Sequence, residues 1–230
     1  MNLIILNKDE IKSNKVTLSD YRHVHIRDVL KPIINKKLKI GVLDGKIGTG
    51  EVIKHTKNET ILKINAKKNP PKPSKITLVC SLPRPKTLKK IVYKSICLGI
   101  KDIYFINSSK VEKGYWDSKQ HKYEKEIIEA LSQSGDTIQP NIYFYKRFRP
   151  FVEDILPGLI KDKAFFAHPG NSKPNKYKHA VLIVGPEGGF TEFEVKLLSK
   201  KAKQISLGER ILRVEDAIVL AKGKLDNYKI

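Results

Sequence analysis

A chain of 230 residues, 40% hydrophobic and 30% charged, can bury a substantial core as one or two domains of a globular protein. No apolar run approaches the roughly 20 residues of a membrane helix, the opening MNLIILNKDE turns polar after four apolar residues, and Cys80 and Cys97 neither stand at C-x-x-C spacing nor cluster with the six histidines. Membrane, secreted disulfide-bonded and zinc-site classes are excluded, and a formal charge of +21 points to a polyanionic partner, nucleic acid first, in the cytoplasm.

Residues 1–68 read as a small β-rich domain. In DYRHVHIRDVLKPI, His23 and His25 alternate and would share one face of a strand, but no third ligand stands nearby, so no metal is expected. In LKIGVLDGKIGTGEVIKHTKNETILKINA, Asp44-Gly45 and Lys57-Asn58 separate strand-like runs, the pattern of a β-meander or small barrel. The first 73 residues hold 16 basic and 7 acidic side chains, a net +9, so positive charge is denser here than in the remaining 157. Of the basic residues 38 are lysine, which a general lysine drift would also produce. The seven arginines, Arg22, Arg27, Arg84, Arg147, Arg149, Arg210 and Arg213, are therefore more informative, because a planar guanidinium makes bidentate contacts that an ammonium cannot.

NPPKPSK, residues 69–75, is a stiff proline-rich junction. Residues 76–230 then alternate strands with helices. ITLVCSLP reads as a buried strand containing Cys80, followed by Arg84-Pro85-Lys86 and a helix from 87 to 98 that ends at Gly99 and contains Cys97; both cysteines are expected in the core. A strand over 102–106, a helix over 119–133 ending at Gln133-Ser134-Gly135, the strand IQPNIYFY, the short strand FFAHP and a polar loop over 171–178 follow. Val181–Val184 then runs into Gly185-Pro186-Glu187-Gly188-Gly189, and Thr191 with Glu194 opens a capped helix. A strand over 205–207 ends at Gly208, and a last helix runs from Glu215 to about Leu225. In a parallel sheet the loops after the strands share one edge, which is where ligands bind, so both glycine turns should face one pocket. Ordinary strand-to-helix turns would look the same, and the motif is neither a dinucleotide fingerprint nor a P-loop.

The stretch from Gly185 to Gly189, followed by Leu207-Gly208-Glu209-Arg210-Ile211-Leu212-Arg213-Val214-Glu215-Asp216-Ala217, resembles the signature of the 16S ribosomal RNA uracil N3-methyltransferase family (the RsmE family) of the SPOUT class. In that family GPEGG is followed by L-G-x-R-I-L-R-x-E-T-A; Val214 and Asp216 replace the usual threonines. Lys94, Leu98, Gly99, Gln133, Ser134 and Gly135 match the family's middle region, where Cys97 replaces a glutamate and Asp136 an arginine. His25, Val29 and Leu30 match its H-x-x-R-V-L-R element, with Asp28 and Lys31 at the arginine positions and Arg27 one residue early.

The resemblance implies an α/β fold: a SPOUT-type knotted (trefoil) methyltransferase domain behind a PUA-like small β-barrel. It also implies S-adenosylmethionine as cofactor, 16S ribosomal RNA of the small subunit as partner, and a homodimer. Cofactor binding is assigned by the same likeness to Ile183, Val184, Gly185, Glu187, Gly188, Leu207, Gly208, Ile211 and Leu212, with His168 and Pro169 added from the third strand end. Arg22, Arg27, Lys31 and Arg84 are the candidate RNA contacts. N3 of uracil lies on the Watson–Crick edge, so the base must be unpaired, and negative charge develops on O2, N3 and O4. A cation there stabilises it, for which Arg213 is the candidate, with Glu215 or Glu187 taking the proton or orienting that arginine. Two other readings remain open: a non-catalytic RNA-binding assembly factor that kept the fold, or a methyltransferase of the same class acting on another nucleotide.

Overall fold

The computed structural model describes residues 3–116, 123–170 and 172–227. Two compact units divide the chain: one reaches to Lys72 and takes in Ile128–Gln139, the other comprises Pro73–Ile127 and the chain from Pro140 onward.

The first unit carries a mixed five-stranded sheet of β1 (Ile4–Leu6), β2 (Lys15–Leu18), β3 (Lys37–Val42), β4 (Ile47–His55) and β5 (Thr60–Lys68), in the order β1-β3-β4-β5-β2. The antiparallel meander β3-β4-β5 turns at the two expected sites, Asp44 having φ +52 at the first. Residue alternation buries Val16, Leu18, Leu38, Ile40, Val52 and Leu62 against Ile4, Leu6 and Ile26. Around His23 the chain forms a helix and not a strand, α1 (Tyr21–His25), which continues as one π-helical turn over Ile26–Leu30. Asp20 decides this: its carboxylate accepts the Arg22 N–H at 2.9 Å and caps the helix. His23 is consequently buried, with its ring nitrogens on Thr60 Oγ1 and the Lys57 carbonyl, while His25 faces outward. No metal-holding group of His, Cys, Asp and Glu occurs among the described residues.

The segment Ile128–Gln139 belongs to the first unit through specific bonds. Leu3 N–H donates to the Ser132 carbonyl at 3.0 Å, Asp44 N–H to the Thr137 carbonyl at 2.8 Å, and Gln139 N–H to Asp44 Oδ1 at 2.9 Å. Asp136, the residue that departs from the family's arginine, is buried and accepts the N–H groups of Thr137 and Ile138, closing a local turn.

The second unit is a six-stranded sheet of β6 (Ile76–Ser81), β7 (Asp102–Ile106), β8 (Asn141–Tyr145), β9 (Lys163–Ala167), β10 (Ala180–Val184) and β11 (Lys203–Ile205). Its order is β11-β9-β10-β6-β7-β8 and every neighbouring pair is parallel. Its helices are α2 (Pro85–Cys97), α4 (Phe148–Pro150), α5 (Leu156–Leu159), α6 (Glu192–Ser199) and α7 (Val214–Asp226), with a π-helical turn joining α4 to α5, while α3 (Glu124–Ser134) starts in this unit and ends in the first. Gly99 and Gly135, at φ +76 and +70, end α2 and α3 in the left-handed conformation. The expected start of α3 at 119 and the first residue of the expected loop over 171–178 lie outside the described residues. Cys80 is buried as expected, and burial pushes its thiol pKa up, but Cys97 is exposed on the outer face of α2. No helix among the described residues is long and apolar enough to cross a membrane.

The sheet order matters for the site. Strands β6, β7 and β8 step outward in one direction, whereas β10, β9 and β11 occupy the other side, so the order reverses between β6 and β10. In open parallel sheets the crevice for ligands lies outside the carboxyl ends of the strands at such a reversal. On one face Val79, Ile106, Val181 and Ile183 pack against Phe151, Phe190, Leu197 and Leu198. That core fixes the strand ends that carry the loops.

Candidate functional site

Because all six strands run the same way, their following loops gather at one edge. They include Leu82–Arg84 after β6, 107–110 after β7, His168-Pro169 after β9, Gly185–Phe190 after β10 and Ser206–Leu212 after β11. The two glycine turns therefore do share an edge, although their strands are not neighbours: β9 lies between β10 and β11, which brings His168 and Pro169 between the turns. The β9 and β11 ends are tied by the His168 N–H on the Ile205 carbonyl at 3.1 Å and by Gln204 Nε2 on the Pro169 carbonyl at 2.6 Å. Burial holds the His168 imidazole below its ordinary pKa of 6.5, so the ring is neutral at pH 7.

The site is lined by backbone more than by side chains. Ile183 is fully buried in the core beneath Phe190, and Val184 is only 4% exposed, so each can offer a ligand its main chain alone. A Cβ on Gly185 would stand 3.2 Å from the Phe190 ring, a tight contact that the ring would have to shift to relieve. Gly188 faces Lys110: a Cβ would meet Lys110 Cδ at 3.0 Å, and Lys110 Nζ donates to the Gly188 carbonyl at 2.7 Å. Gly208 is different. It holds φ +122, its N–H donates to Ser206 Oγ at 3.3 Å, and nothing lies within 4 Å of where a side chain would begin. An elongated polar ligand could lie along that open backbone, as S-adenosylmethionine requires. Leu207 is half-buried, whereas Ile211 is 98% exposed and Leu212 partly so, and neither is covered within the chain.

Arg213 is the extended N-cap residue of α7 and is exposed. Glu215, two residues on, does not join it; the carboxylate is buried and approaches Lys90 Nζ of α2 at 3.4 Å. Asp216 binds Lys94 of the same helix at 2.6 Å, so this departure from the family motif is accommodated as an ion pair between α7 and α2. Val214 is buried, filling its position as a small core residue. At the β6–β10 reversal Arg84 Nε and Glu187 Oε1 stand 3.9 Å apart, both largely exposed, an open pair of opposite charge.

The candidate RNA contacts separate. Arg22 closes on its own chain: its guanidinium donates to Glu10 at 2.7 and 2.8 Å, to Asp20 at 2.7 to 3.1 Å and to the Ile5 carbonyl at 3.0 Å, with its side chain 11% exposed. The expectation that it meets RNA is corrected accordingly, since no donor edge is left for a phosphate. Arg27 is half-exposed and pairs with its neighbour Asp28 at 2.6 Å, and Lys31 is exposed at φ +41.

The sequence reading had no sign of Ser109 and Lys110 in the loop after β7, which bond to Glu194 and Gly188 respectively. Their only trace was the Thr191–Glu194 cap, half of the contact. A cavity of about 160 Å³ opens at the opposite end of the strands, lined by Lys75, Lys101, Asp102, Lys161 and His179, and contains none of the expected cofactor residues.

The chain is similar in sequence and fold to known RNA methyltransferases. Residues 70–225 match the family model of the RNA methyltransferase domain. Ribosomal RNA small subunit methyltransferase E 1 of Borreliella burgdorferi is 30% identical over 96% of this chain and 95% of its own, and the corresponding protein of Aquifex aeolicus is 29% identical over 99% and 95%. Among solved structures, a putative methyltransferase of Legionella pneumophila in complex with the cofactor SAM superposes with a TM-score of 0.77 at 24% identity, covering 100% of this chain and 99% of its own. Ribosomal RNA small subunit methyltransferase E of Neisseria gonorrhoeae, bound to S-adenosyl methionine, gives 0.67 at 22% identity, covering 96% and 95%.

Proposed function

Since the chain belongs to the ribosomal RNA small subunit methyltransferase E family, we propose that it transfers the methyl group of S-adenosylmethionine to N3 of a uridine in 16S ribosomal RNA. The observation that carries the reading is the gathering of the β9, β10 and β11 loops on one edge, with the open backbone at Gly208. The cofactor supplies an activated methyl group on a sulfonium. The main chain of Ile183, Val184, Gly185, Leu207 and Gly208 lines its site, the neutral His168 ring and Pro169 stand between the two turns, and Glu187 and Gly188 form the outer rim. Leu212 and Ile211 continue the wall.

Arg213 sits beyond the second glycine turn, where its fixed positive charge stabilises the anion developing on O2 and O4 as N3 loses its proton. Glu215, buried in the first turn of α7 with its carboxylate toward Lys90 of α2, holds the helix that presents Arg213, and the exposed Glu187 at the rim takes the N3 proton. Arg84 at the β6–β10 reversal, together with Arg27 and Lys31 of the first domain, meets the RNA backbone.

The same reading makes residues 1–68 a PUA-like barrel, 69–75 the linker and 76–230 a trefoil-knotted domain. It makes the active form a cytoplasmic homodimer whose contact covers the exposed apolar Ile211, Leu212, Val219 and Leu220. Mass spectrometry of nucleosides from small-subunit RNA tests the reaction: N3-methyluridine should be absent without the gene and restored by it. A different methylated nucleoside appearing with the gene would favour the same chemistry on another base. No change, in a chain that binds RNA, would favour the assembly factor.

A further inference from the structure

Glu194 is the N3 residue of α6 and is 1% exposed, a carboxylate almost wholly removed from water. Its Oε2 accepts the Thr191 N–H at 2.8 Å while the Glu194 N–H donates to Thr191 Oγ1 at 3.3 Å, which is the ordinary capping box, and the Thr191 hydroxyl adds a bond to Oε2 at 3.1 Å. That box uses one oxygen. The other, Oε1, accepts the Ser109 N–H at 2.7 Å and the Ser109 hydroxyl at 3.1 Å, from the loop after β7 and 85 residues away. Next to it, Lys110 Nζ holds the Gly188 carbonyl at 2.7 Å. In the sheet β6 separates β10 from β7, so both ties join the loops on either side of the one that follows β6 and carries Arg84.

We infer that Glu194 is a positioning residue that locks the Gly185–Gly189 turn to the 107–110 loop and so sets the width of the cofactor edge. The inference rests on the reading of that edge as an S-adenosylmethionine site. Its chemistry requires a carboxylate. Four donors converge on two oxygens, and glutamine has a single oxygen and an NH2 group that would meet an N–H, so Glu194→Gln can keep the cap or the Ser109 bond but not both. Burial makes the loss consequential, because the Glu194 side chain is cut off from water and its amide replacement cannot recover the missing bonds from solvent.

The test compares Glu194→Gln, Thr191→Ala and Ser109→Ala in the full-length chain. Amide hydrogen exchange should show Ser109 released at least tenfold in Glu194→Gln, with the strand amides of β6, β7 and β10 unchanged. S-adenosylmethionine titration should give a Kd, and kinetics a KM, raised at least tenfold, while kcat at saturating cofactor stays within about threefold. Thr191→Ala removes the cap alone and should leave Ser109 protected and the Kd within about twofold. Ser109→Ala removes one donor from an exposed residue and should raise the Kd two- to fivefold, which decides the matter if Glu194→Gln does not fold. An unchanged Ser109 amide and unchanged Kd in Glu194→Gln would overturn the inference, as would equal losses in Thr191→Ala. If the wild-type chain binds no S-adenosylmethionine, the functional reading fails, and the exchange experiment still decides whether the lock exists.

Discussion

Gly208→Val should separate cofactor binding from folding. At φ +122 the backbone occupies a region nearly confined to glycine, and a side chain there costs about 1–3 kcal/mol. In a chain of this size each 1 kcal/mol lowers Tm by about 2–4 °C, so the variant should melt about 2–12 °C lower and remain folded at 25 °C. Its Cβ enters open space, where nothing in the chain lies within 4 Å. If that space takes the cofactor, the side chain collides with it or the bend relaxes and moves the 206–212 loop, and losing about 1.4 kcal/mol or more weakens binding at least tenfold. Gly188→Ala is the control. Its Cβ meets the flexible stem of Lys110, so the Lys110 tie loosens and the Kd should rise only two- to fivefold. Calorimetric titration with S-adenosylmethionine, beside a melting curve for each variant, reads both effects. A folded Gly208→Val protein that binds within twofold of wild type would refute the placement.

Substitutions at three other side chains have equally definite outcomes. Arg213→Ala should lower turnover by about a hundredfold, the usual loss on removing a charge-stabilising donor, with cofactor affinity changed much less; equal losses in steady-state kinetics and titration would make it a binding residue. Arg22→Met should destabilise the first unit by about 1–2 kcal/mol in urea unfolding, since it removes charge-assisted bonds to a half-buried Glu10 and an exposed Asp20, and should leave RNA affinity within about threefold at fixed salt; a large RNA effect without a stability effect would restore Arg22 as an RNA contact. The same cluster sets an acid limb. The Arg22 hydrogen bonds lower the Glu10 pKa, and for Asp20 burial pulls upward but those bonds and the Arg22 charge outweigh it. Both groups therefore contribute stability that is complete above their ordinary values of 4.5 and 3.8 and is lost as pH falls through the lower folded values. Arg22→Met should flatten that limb. Ile211→Glu should raise the dimer dissociation constant at least tenfold in sedimentation equilibrium, and an unchanged value would move the subunit contact elsewhere.

What the sequence could show depended on how far apart the interacting residues lie. Thr191 and Glu194, Gly99 and Gly135 encode helix ends within four residues of themselves, and the structure has those ends there. The strand over 102–106 matched to the residue because its apolar run is bounded by turn signals on both sides. The final strand lies at Lys203–Ile205, two residues before the expected position, because it pairs only with β9 and its length is set by that neighbour. Asp20 turned an apparent strand into α1, a competition between capping and alternation that the alternation of His23 and His25 concealed. The helical run of α4 and α5, and strands β1 and β2, left no motif strong enough to be read; they are short and defined by packing on distant partners.

At the site, the glycine turns were legible, and their common edge followed from parallel pairing. The intervening β9 did not, because strand order depends on contacts between residues far apart in sequence. The same limit hid the Glu215–Lys90 and Asp216–Lys94 pairs and the Ser109–Glu194 bonds, each joining residues at least 85 positions apart.

The most direct measurement is a calorimetric titration of the purified wild-type chain with S-adenosylmethionine and with its demethylated product. The account requires saturable binding of both at one site per chain, with each competing against the other. A folded chain that gives no binding heat by either ligand at several temperatures would contradict it.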